Sequence, residues 1–395
     1  MHLFHFYHQH HLKRSSHSKF WQFELAIWFH VFARSMIAVF VPIIMLKNGY
    51  TLNQVMMFYF FFVAIDIPLN FLAGKIIRAI GAKKTMILST FAVIAFFYLL
   101  NQIPNPTINY LLILSLVSAL YDALYWVSHI YLFLESEAPD DDSGEDTSSL
   151  SIVKQLGMLF GPAIGALILL IFNQTALITT SIIFFALSLI PLLLLQSIND
   201  RPQNNIVNLQ TLLATQRQKR NYFSILFYGI HHAAELVIWP LFIYTIFQSI
   251  ESVAYVPMII SITAMIFSYF IGKKIKQGKT RLIIFGSIVI TAIWIARIFI
   301  ENSSFYYISI FLVGIFSLLV SLPLDSDLFE KKETIDNLSI SIYRNLFSMF
   351  PRLFLYGALA LAVNIFHLTF ITAAASIFLL MAINSLFFVY NQKNS

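Results

Sequence analysis

The sequence predicts an all-helical membrane protein that crosses the bilayer many times. Of its 395 residues, 58% are hydrophobic and only 11% are charged, and 40 are Phe. Soluble domains carry about 25% charged residues, and a soluble fold could not cover this much apolar surface. We therefore expect nearly the whole chain to lie in membrane spans.

Twelve apolar segments have a length suited to a spanning helix, for which about 20 residues are needed. They run over 21–46, 52–77, 84–101, 107–133, 151–172, 174–196, 221–249, 252–272, 280–301, 304–324, 339–364 and 367–391. The long polar stretch between the sixth and seventh predicts two six-helix bundles. The expected division is 1–20 tail, 21–196 first bundle, 197–220 linker, 221–391 second bundle and 392–395 tail.

The basic residues of the connections predict the orientation of the chain. The short connections on one side hold only Lys47, whereas the longer ones on the other side are rich in Lys and Arg. Basic loops stay in the cytoplasm, so both termini are expected there, and a bacterial inner membrane is our working assumption. The net charge of +6 then reflects orientation rather than nucleic-acid binding.

The N-terminal tail and one loop have unusual compositions. Residues 1–20 contain six His and lack the apolar core of a cleavable signal, so a solvated tail is expected. The stretch 135–146 contains seven acidic residues and is expected to be a solvated cytoplasmic loop. Cysteine is absent, which excludes disulfides and thiolate chemistry.

Five ionisable side chains fall near the middle of predicted spans: Arg34, Asp66, Asp122, Glu235 and Arg352. A charge at the centre of a bilayer costs about 2.5–3.5 kcal/mol on insertion scales. Such residues face the interior of a helix bundle and mark pathways for substrates or ions. They predict a polar cavity at the membrane midplane, which indicates transport.

Two weak repeats relate the halves of the chain. Ser151–Leu156 is similar to Ser341–Leu346, and Gly74–Gly81 is similar to Gly272–Gly278. Repeated bundles around a midplane site are typical of secondary transporters.

The chain resembles the major facilitator superfamily. In that family the loop after the second helix carries a Gly, an acid four residues later, a second Gly seven residues later, and then basic residues. Gly74, Gly81, Lys83 and Lys84 match this pattern, whereas Arg78 replaces the acid. The resemblance implies twelve helices in two pseudo-symmetric bundles that work by alternating access.

The predicted fifth span carries a second resemblance. Gly157, Gly161, Pro162 and Gly165 form a GxxxGPxxG element, which is frequent in the family's exporters and antiporters. This implies the drug and multi-substrate efflux branch. Small residues also allow close helix approach and Pro permits a bend, so plain helix packing is the alternative.

The resemblance places helices 1, 4, 7 and 10 around the central cavity. Polar and aromatic residues recur there at helical spacing, in the sets His30 and Arg34; Asp122, Tyr125, Trp126 and His129; and Tyr228, His232, Glu235 and Trp239. The candidates for substrate binding are His30, Arg34, Tyr125, Trp126, His129, His232, Trp239 and Arg352.

The acidic candidates have two possible roles. A carboxylate in a low-dielectric cavity can bind and release protons near physiological pH, so Asp122, Glu235 and Asp66 are candidates for proton coupling. Asp122 could instead form a permanent salt bridge with Arg34, and Asp66 could have a structural partner.

The remaining charged residues near spans carry further expectations. Arg352 requires an acid, backbone carbonyls or an anionic substrate, because an Arg at the midplane cannot stay unpaired. Arg297 lies near the outer end of the ninth span and is expected to snorkel to the interface. Asp325 and Asp327 are expected to be gate or capping residues.

The sequence favours a transporter over an enzyme. The outer connections are a few residues long and the cytoplasmic ones lack a recognisable catalytic constellation. His231, His232 and Glu235 occupy one helical turn without HExxH order, so no metal site is expected. Gly272–Thr280 departs from the P-loop spacing, and without a nucleotide-binding domain the energy must come from an ion gradient, expected to be H⁺.

We therefore expect proton-coupled efflux of a small amphiphilic compound, without a cofactor. The alternative is an importer of organic anions or a lysolipid carrier; a polytopic enzyme or a transport-inactive sensor is a further alternative. The expected partners are a small-molecule substrate and the lipid bilayer, with no nucleic acid and a monomeric protein.

Overall fold

The computed structural model describes residues 20–103, 106–136, 143–195, 201–202, 206–275, 278–329 and 336–394. Within these ranges the chain forms helices joined by short turns, and they contain no strand. The His-rich tail, except Phe20, and the central part of the acidic loop lie outside the described residues.

Twelve long helices, counted over the described ranges, match the predicted spans. They are α1 (Phe20–Ala38, continued by Val41–Lys47), α2 (Leu52–Ile80), α3 (Ala82–Asn101), α4 (Ile108–Ser136), α5 (Ser143–Ile171), α6 (Gln174–Leu194), α7 (Gln216–Ala233, Ala234–Ile238 and Trp239–Phe247), α8 (Ile250–Ile275), α9 (Lys279–Phe299), α10 (Ser303–Phe329), α11 (Asn337–Leu361) and α12 (Ile365–Asn394). A short helix, Leu209–Leu212, precedes α7.

Eleven of these helices are long and apolar enough to cross a membrane. The remaining one, α11, has 25 residues and carries Arg344, Arg352 and several Ser. Large apolar side chains are exposed elsewhere, including Phe299 at 77% and Leu386 at 72%, and such a surface suits contact with lipid. The predicted fold class, an all-helical integral membrane protein, is confirmed.

Sequence signals set several helix ends. Thr51 with Gln54 and Thr215 with Gln218 form capping boxes that begin α2 and α7. Gly81 joins α2 to α3 with a φ of 93°, a left-handed conformation that favours glycine.

Helix contacts fall into two sets with a shared seam. In the first half α1 packs on α5 and α6, while α4 packs on α2 and α3. In the second half α9 packs on α10 and α12, and α7 packs on α11 and α12. The seam is formed by α5 against α8 and α10, and by α11 against α2 and α4.

Two of the membrane helices, α1 and α7, depart from a continuous α-helix. α1 breaks at Val39 and Phe40 just before Pro42, which occupies its second segment's first turn. α7 contains a five-residue π-helical segment, Ala234–Ile238. A π segment adds a residue to a turn and rotates the rest of the helix about its axis, so the regular stripe predicted on α7 does not persist beyond it.

Candidate functional site

Arg34 on α1 and Asp122 on α4 form an ion pair inside the first half. Arg34 Nη2 lies 3.7 Å from Asp122 Oδ1, and Trp126 Nε1 donates a 3.1 Å hydrogen bond to the same oxygen. The Arg34 guanidinium also lies 5.5 Å from the Trp126 ring. The Arg34 side chain is 37% exposed and that of Asp122 is 3% exposed, so the cation is accessible and the carboxylate is covered.

Arg352, midway along α11, contacts a hydroxyl, an imidazole and a thioether. Its Nη2 donates a 2.8 Å hydrogen bond to Ser348 Oγ and lies 3.3 Å from His232 Nδ1. Its Nη1 lies 3.6 Å from Met349 Sδ, and its buried Nε has no hydrogen-bond partner. Among the described residues no carboxylate comes within 4.0 Å of this guanidinium. Arg352 therefore carries a charge that the described residues leave without a direct counter-ion.

Asp66 connects the two halves through a pair of amides. Asn70 Nδ2 donates 2.9 Å to Asp66 Oδ2, and Asn345 Nδ2 on α11 donates 2.6 Å to Asn70 Oδ1. The other carboxylate oxygen of Asp66 is buried without a hydrogen-bond partner. Asp66 also lies in the electrostatic field of Asp122 and Arg352. It has the structural partner considered from the sequence and still faces the central charges.

Aromatic and basic residues that the sequence did not single out complete the site. Tyr59 on α2 stacks on Tyr356 on α11, with ring centroids 5.1 Å apart. Lys154 Nζ on α5 lies 5.6 Å from the Trp126 ring. The sequence holds one signal for Tyr59 and one for Lys154. Tyr59 precedes Asp66 by seven residues, which places the two side chains on one face of α2, two turns apart. Lys154 is the repeat equivalent of Arg344.

Three of the predicted substrate-binding residues in the first half lie behind the accessible surface. His30 Nε2 is hydrogen-bonded to Tyr121 Oη at 2.8 Å, and its ring stacks on Tyr125 at 3.9 Å. His129 stacks on the same Tyr125 at 5.6 Å. His30, Tyr125 and His129 are each 1% exposed. This stack supports the α1–α4 contact, whereas Arg34, Trp126, His232 and Arg352 remain partly accessible.

Glu235 lies in a separate buried network within the second half. Its carboxylate accepts hydrogen bonds of 2.6 and 3.2 Å from Arg297 on α9. The guanidinium stacks between Trp239 at 3.5 Å and Trp294 at 4.4 Å, and its Nε donates to Ser309. The expectation that Arg297 snorkels is wrong, because it is 3% exposed and fully partnered. Glu235 and Trp239 thus contact α9, as does His231 one turn earlier, which accepts a 2.9 Å hydrogen bond from Trp294 Nε1.

The acids at the end of α10 form ion pairs rather than caps. Asp327 pairs with Arg217 at 2.8 Å, with Lys279 at 3.2 Å, and with Arg220. It thus ties α10 to the first turns of α7 and α9. Asp325 pairs with Arg344 on α11 at 2.9 Å.

The GxxxGPxxG element brings α5 against α1. A Cβ on Gly161 would meet the Ser35 side chain and lie 2.9 Å from the Met36 backbone nitrogen. Gly157 and Gly165 likewise face the α1 backbone, and Ser35 Oγ donates 2.8 Å to the Gly157 carbonyl. Pro162 lies within the helix. The close helix packing inferred from the small residues is therefore present.

The residues of the loop motif after α2 serve different contacts. Gly74 faces Ile342 on α11, and Gly81 makes the turn described above. Lys83 Nζ donates 2.8 and 2.7 Å to the carbonyls of Leu193 and Leu195 at the end of α6. Lys84 is exposed, as is Arg78.

Comparisons with known proteins agree with this architecture. The sequence profile of the Major Facilitator Superfamily matches residues 24–330. No curated protein matched significantly in sequence. The human organic anion transporter MFSD10 (TETRAN) has a similar structure, with a TM-score of 0.71 and 11% identity over 92% of this chain and 98% of that one. A bacterial homologue of the iron transporter ferroportin in its outward-facing state gives 0.71 and 12% over 92% and 97%, and its iron-soaked form gives 0.69 and 14% over the same shares. At these identities the likeness shows the fold, and the profile match over most of the chain places this protein in the Major Facilitator Superfamily.

Proposed function

We propose that this protein is a secondary transporter that moves a small amphiphilic organic anion by alternating access between its two halves. Arg352 carries the proposal. It lies midway along a membrane helix, and its described partners are Ser348, Met349 and His232, none of which is an anion. An Arg within the membrane pairs with an acid, with backbone carbonyls or with an anionic ligand. Because the described contacts of Arg352 include neither an acid nor a carbonyl, a bound anion is the natural partner.

The surroundings of Arg352 suit an anion that also has an apolar body. Arg34 supplies a second accessible guanidinium from the first half. Trp126 and Tyr59, which are partly accessible, supply aromatic surface. The resemblance to an organic anion transporter points the same way, but at 11% identity it concerns the fold. The proposal therefore depends on the arginines of this chain.

The Arg34–Asp122 pair offers a way to couple protons to the anion. Protonation of Asp122 would remove the counter-charge of Arg34 and leave that guanidinium free to bind substrate. Anion binding would in turn favour the protonated carboxyl, since such linkage is reciprocal. Asp66, the second carboxylate facing the central charges, would assist in the same way. Proton and anion would then move together, and an inward proton gradient would drive uptake.

Proton-coupled efflux of an amphiphilic cation is the second candidate. The observation that favours this candidate is the Asp122 carboxylate beside Trp126. Its Oδ2 is buried and has no hydrogen-bond partner, while its Oδ1 accepts a hydrogen bond from Trp126. A carboxylate next to an indole face can bind an organic cation. The two candidates differ in the sign of the substrate charge.

The test uses purified protein in liposomes that contain a pH-sensitive dye. Three ligands share one aromatic body and differ in bearing a carboxylate, an ammonium or a neutral amide. We expect binding and proton flux with the carboxylate only. Arg352→Gln should weaken its binding about 10-fold or more, the effect of losing a charge-assisted hydrogen bond. Arg352→Lys should retain part of it, because Lys keeps the charge but loses the planar fork.

Arg281→Gln is the matched control, because Arg281 is exposed and rests on Phe388 at the protein surface. Transport of the ammonium ligand without the carboxylate ligand would assign the second candidate. Unchanged carboxylate affinity in a folded Arg352→Gln variant would refute the role of Arg352.

A further inference from the structure

His231 and His232 are adjacent on α7, and their hydrogen bonds define which nitrogen of each ring carries the proton. A neutral imidazole has one donor nitrogen and one acceptor nitrogen. Trp294 Nε1, which can only donate, lies 2.9 Å from His231 Nδ1. The Nδ1 of His231 is therefore the acceptor, and its Nε2 carries the proton that bonds Ser317 Oγ at 3.0 Å.

The same reasoning fixes the tautomer of His232. Arg352 Nη2 lies 3.3 Å from His232 Nδ1, and a guanidinium has donors but no acceptor. The Nδ1 of His232 therefore accepts, and the single proton of the ring lies on Nε2. This contact also holds the imidazole neutral, because a proton on Nδ1 would point at the Arg352 N–H group.

The two histidines differ in what their Nε2 protons meet. His231 is 1% exposed, and both of its ring nitrogens bond within the protein. Among the described residues nothing accepts a hydrogen bond from His232 Nε2. The His232 side chain is partly exposed, and its Nε2 is not one of the buried atoms that lack a partner. His232 thus presents an N–H donor to accessible space beside Arg352.

This donor faces away from Arg352. The two nitrogens lie on different sides of an imidazole ring, so a group that bonds Nε2 lies across the ring from the guanidinium on Nδ1. One small anionic group bound to Arg352 is therefore badly placed to accept from His232 Nε2 as well. The Nε2 proton fits a second acceptor, located elsewhere on the same ligand.

We infer, as an extension of the proposed function, that His232 donates from Nε2 to a neutral hydrogen-bond acceptor on the apolar body of the substrate. The substrate class is then an amphiphilic organic anion that carries a carbonyl or ether oxygen apart from its anionic group. An uncharged imidazole can bind such an oxygen without a further compensating charge in the membrane. Arg352 would bind the anionic group, and His232 would select among anions by their second polar group.

The test measures the binding of paired benzoates and phenylacetates to the purified protein. The members of each pair bear an acetyl or an isopropenyl group at the same ring position. These groups have nearly the same shape, but only the acetyl oxygen can accept a hydrogen bond. The wild type should bind the best-placed acetyl compound about 3- to 10-fold more tightly than its isopropenyl partner, the effect of one neutral hydrogen bond.

Two variants of His232 separate its two nitrogens. His232→Asn should abolish the preference for acetyl, because its short amide can still accept from Arg352 but cannot reach the position of Nε2. His232→Gln should retain part of the preference, because its longer amide can place an N–H group near that position. Arg352→Gln should weaken the binding of both members of a pair. His367→Asn, which changes an exposed histidine, is the matched control and should bind like the wild type.

The outcomes separate this inference from the proposed function. A wild type that binds both members of every pair equally would overturn the role of His232 and leave anion transport standing. A preference that persists in His232→Asn, or an equal loss of affinity for both members in that variant, would overturn it as well. Failure of the wild type to bind any of these carboxylates would overturn both proposals. Gel filtration and thermal stability of each variant show that it is folded.

Discussion

Replacing Glu235 with Gln separates a structural role from a proton-carrying one. Glu235 accepts two hydrogen bonds from Arg297, and the two side chains are 5% and 0% exposed. Removing the carboxylate would leave the guanidinium buried between two tryptophans without a counter-charge. Breaking a buried pair in this way costs about 3–5 kcal/mol.

The assay is thermal unfolding of the detergent-purified protein. If a six-helix half unfolds as a unit of about 150–250 residues, each kcal/mol lowers Tm by roughly 2–4 °C. Glu235→Gln should then lower Tm by about 6–20 °C on the same basis. A Glu235→Gln/Arg297→Met double variant should recover much of this loss, because it removes both buried charges and keeps apolar volume against Trp239 and Trp294.

One result would refute this reasoning. If Glu235→Gln unfolds at the wild-type temperature but abolishes substrate-dependent proton flux, the pair is not structural, and Glu235 is a proton carrier as the sequence allowed. A lowered Tm with intact flux per folded molecule would assign Glu235 to the support of α7 against α9.

Two further predictions concern the first half. Asp122→Asn should abolish substrate-dependent proton flux while anion counterflow persists. Asn can still accept the hydrogen bond from Trp126, but it cannot bind and release a proton. Loss of both activities, or retention of both, would contradict the coupling role. Gly161→Val should lower stability by about 1–3 kcal/mol or more in thermal unfolding, since its side chain would collide with Ser35 and the Met36 backbone. Gly278→Ala is its control, because among the described residues a Cβ there meets the Arg281 side chain alone, at 4.0 Å.

The helices themselves could be predicted from hydropathy. The predicted span 52–77 corresponds to Leu52–Ile80, and 174–196 corresponds to Gln174–Leu194. Membrane-length apolar runs give this information because each span must satisfy its own backbone hydrogen bonds. The predicted span at α7 began at 221, whereas the helix begins at Gln216, since the capping box at Thr215 lies outside the apolar run.

The orientation of side chains around each helix was harder to predict. Regular spacing placed Glu235 and Trp239 on one face with His232, and this assumed an uninterrupted α-helix. The π segment from Ala234 to Ile238 breaks that assumption, and none of its residue types is a signal for a π-helix. Arg297 was assigned to the interface by its position alone, because its partner lies 62 residues away in the sequence.

Accessibility within the bundle was also beyond the sequence. The candidate residues of α1 and α4 recur at helical spacing and are similar in polarity; they include His30, Arg34, Tyr125 and Trp126. Only packing distinguishes the buried stack of His30 and Tyr125 from the accessible Arg34 and Trp126. Lys154 was visible as a repeat of Arg344, but its contact with the Trp126 ring on another helix could not be read from the sequence.

The ion pairs Glu235–Arg297 and Arg34–Asp122 differ in a way that bears on which of them could take part in the proposed transport cycle. Opening Glu235–Arg297 would strand a guanidinium that is 0% exposed, so the pair resists opening. Arg34–Asp122 is longer, at 3.7 Å, and its guanidinium is 37% exposed, so Arg34 can exchange its partner for a substrate anion while staying solvated. The carboxylate left behind is buried, and protonation removes the cost of leaving it unpaired. Under the proposed function, anion capture by Arg34 and proton capture by Asp122 would be two parts of one exchange, and the coupling would lie in the first half.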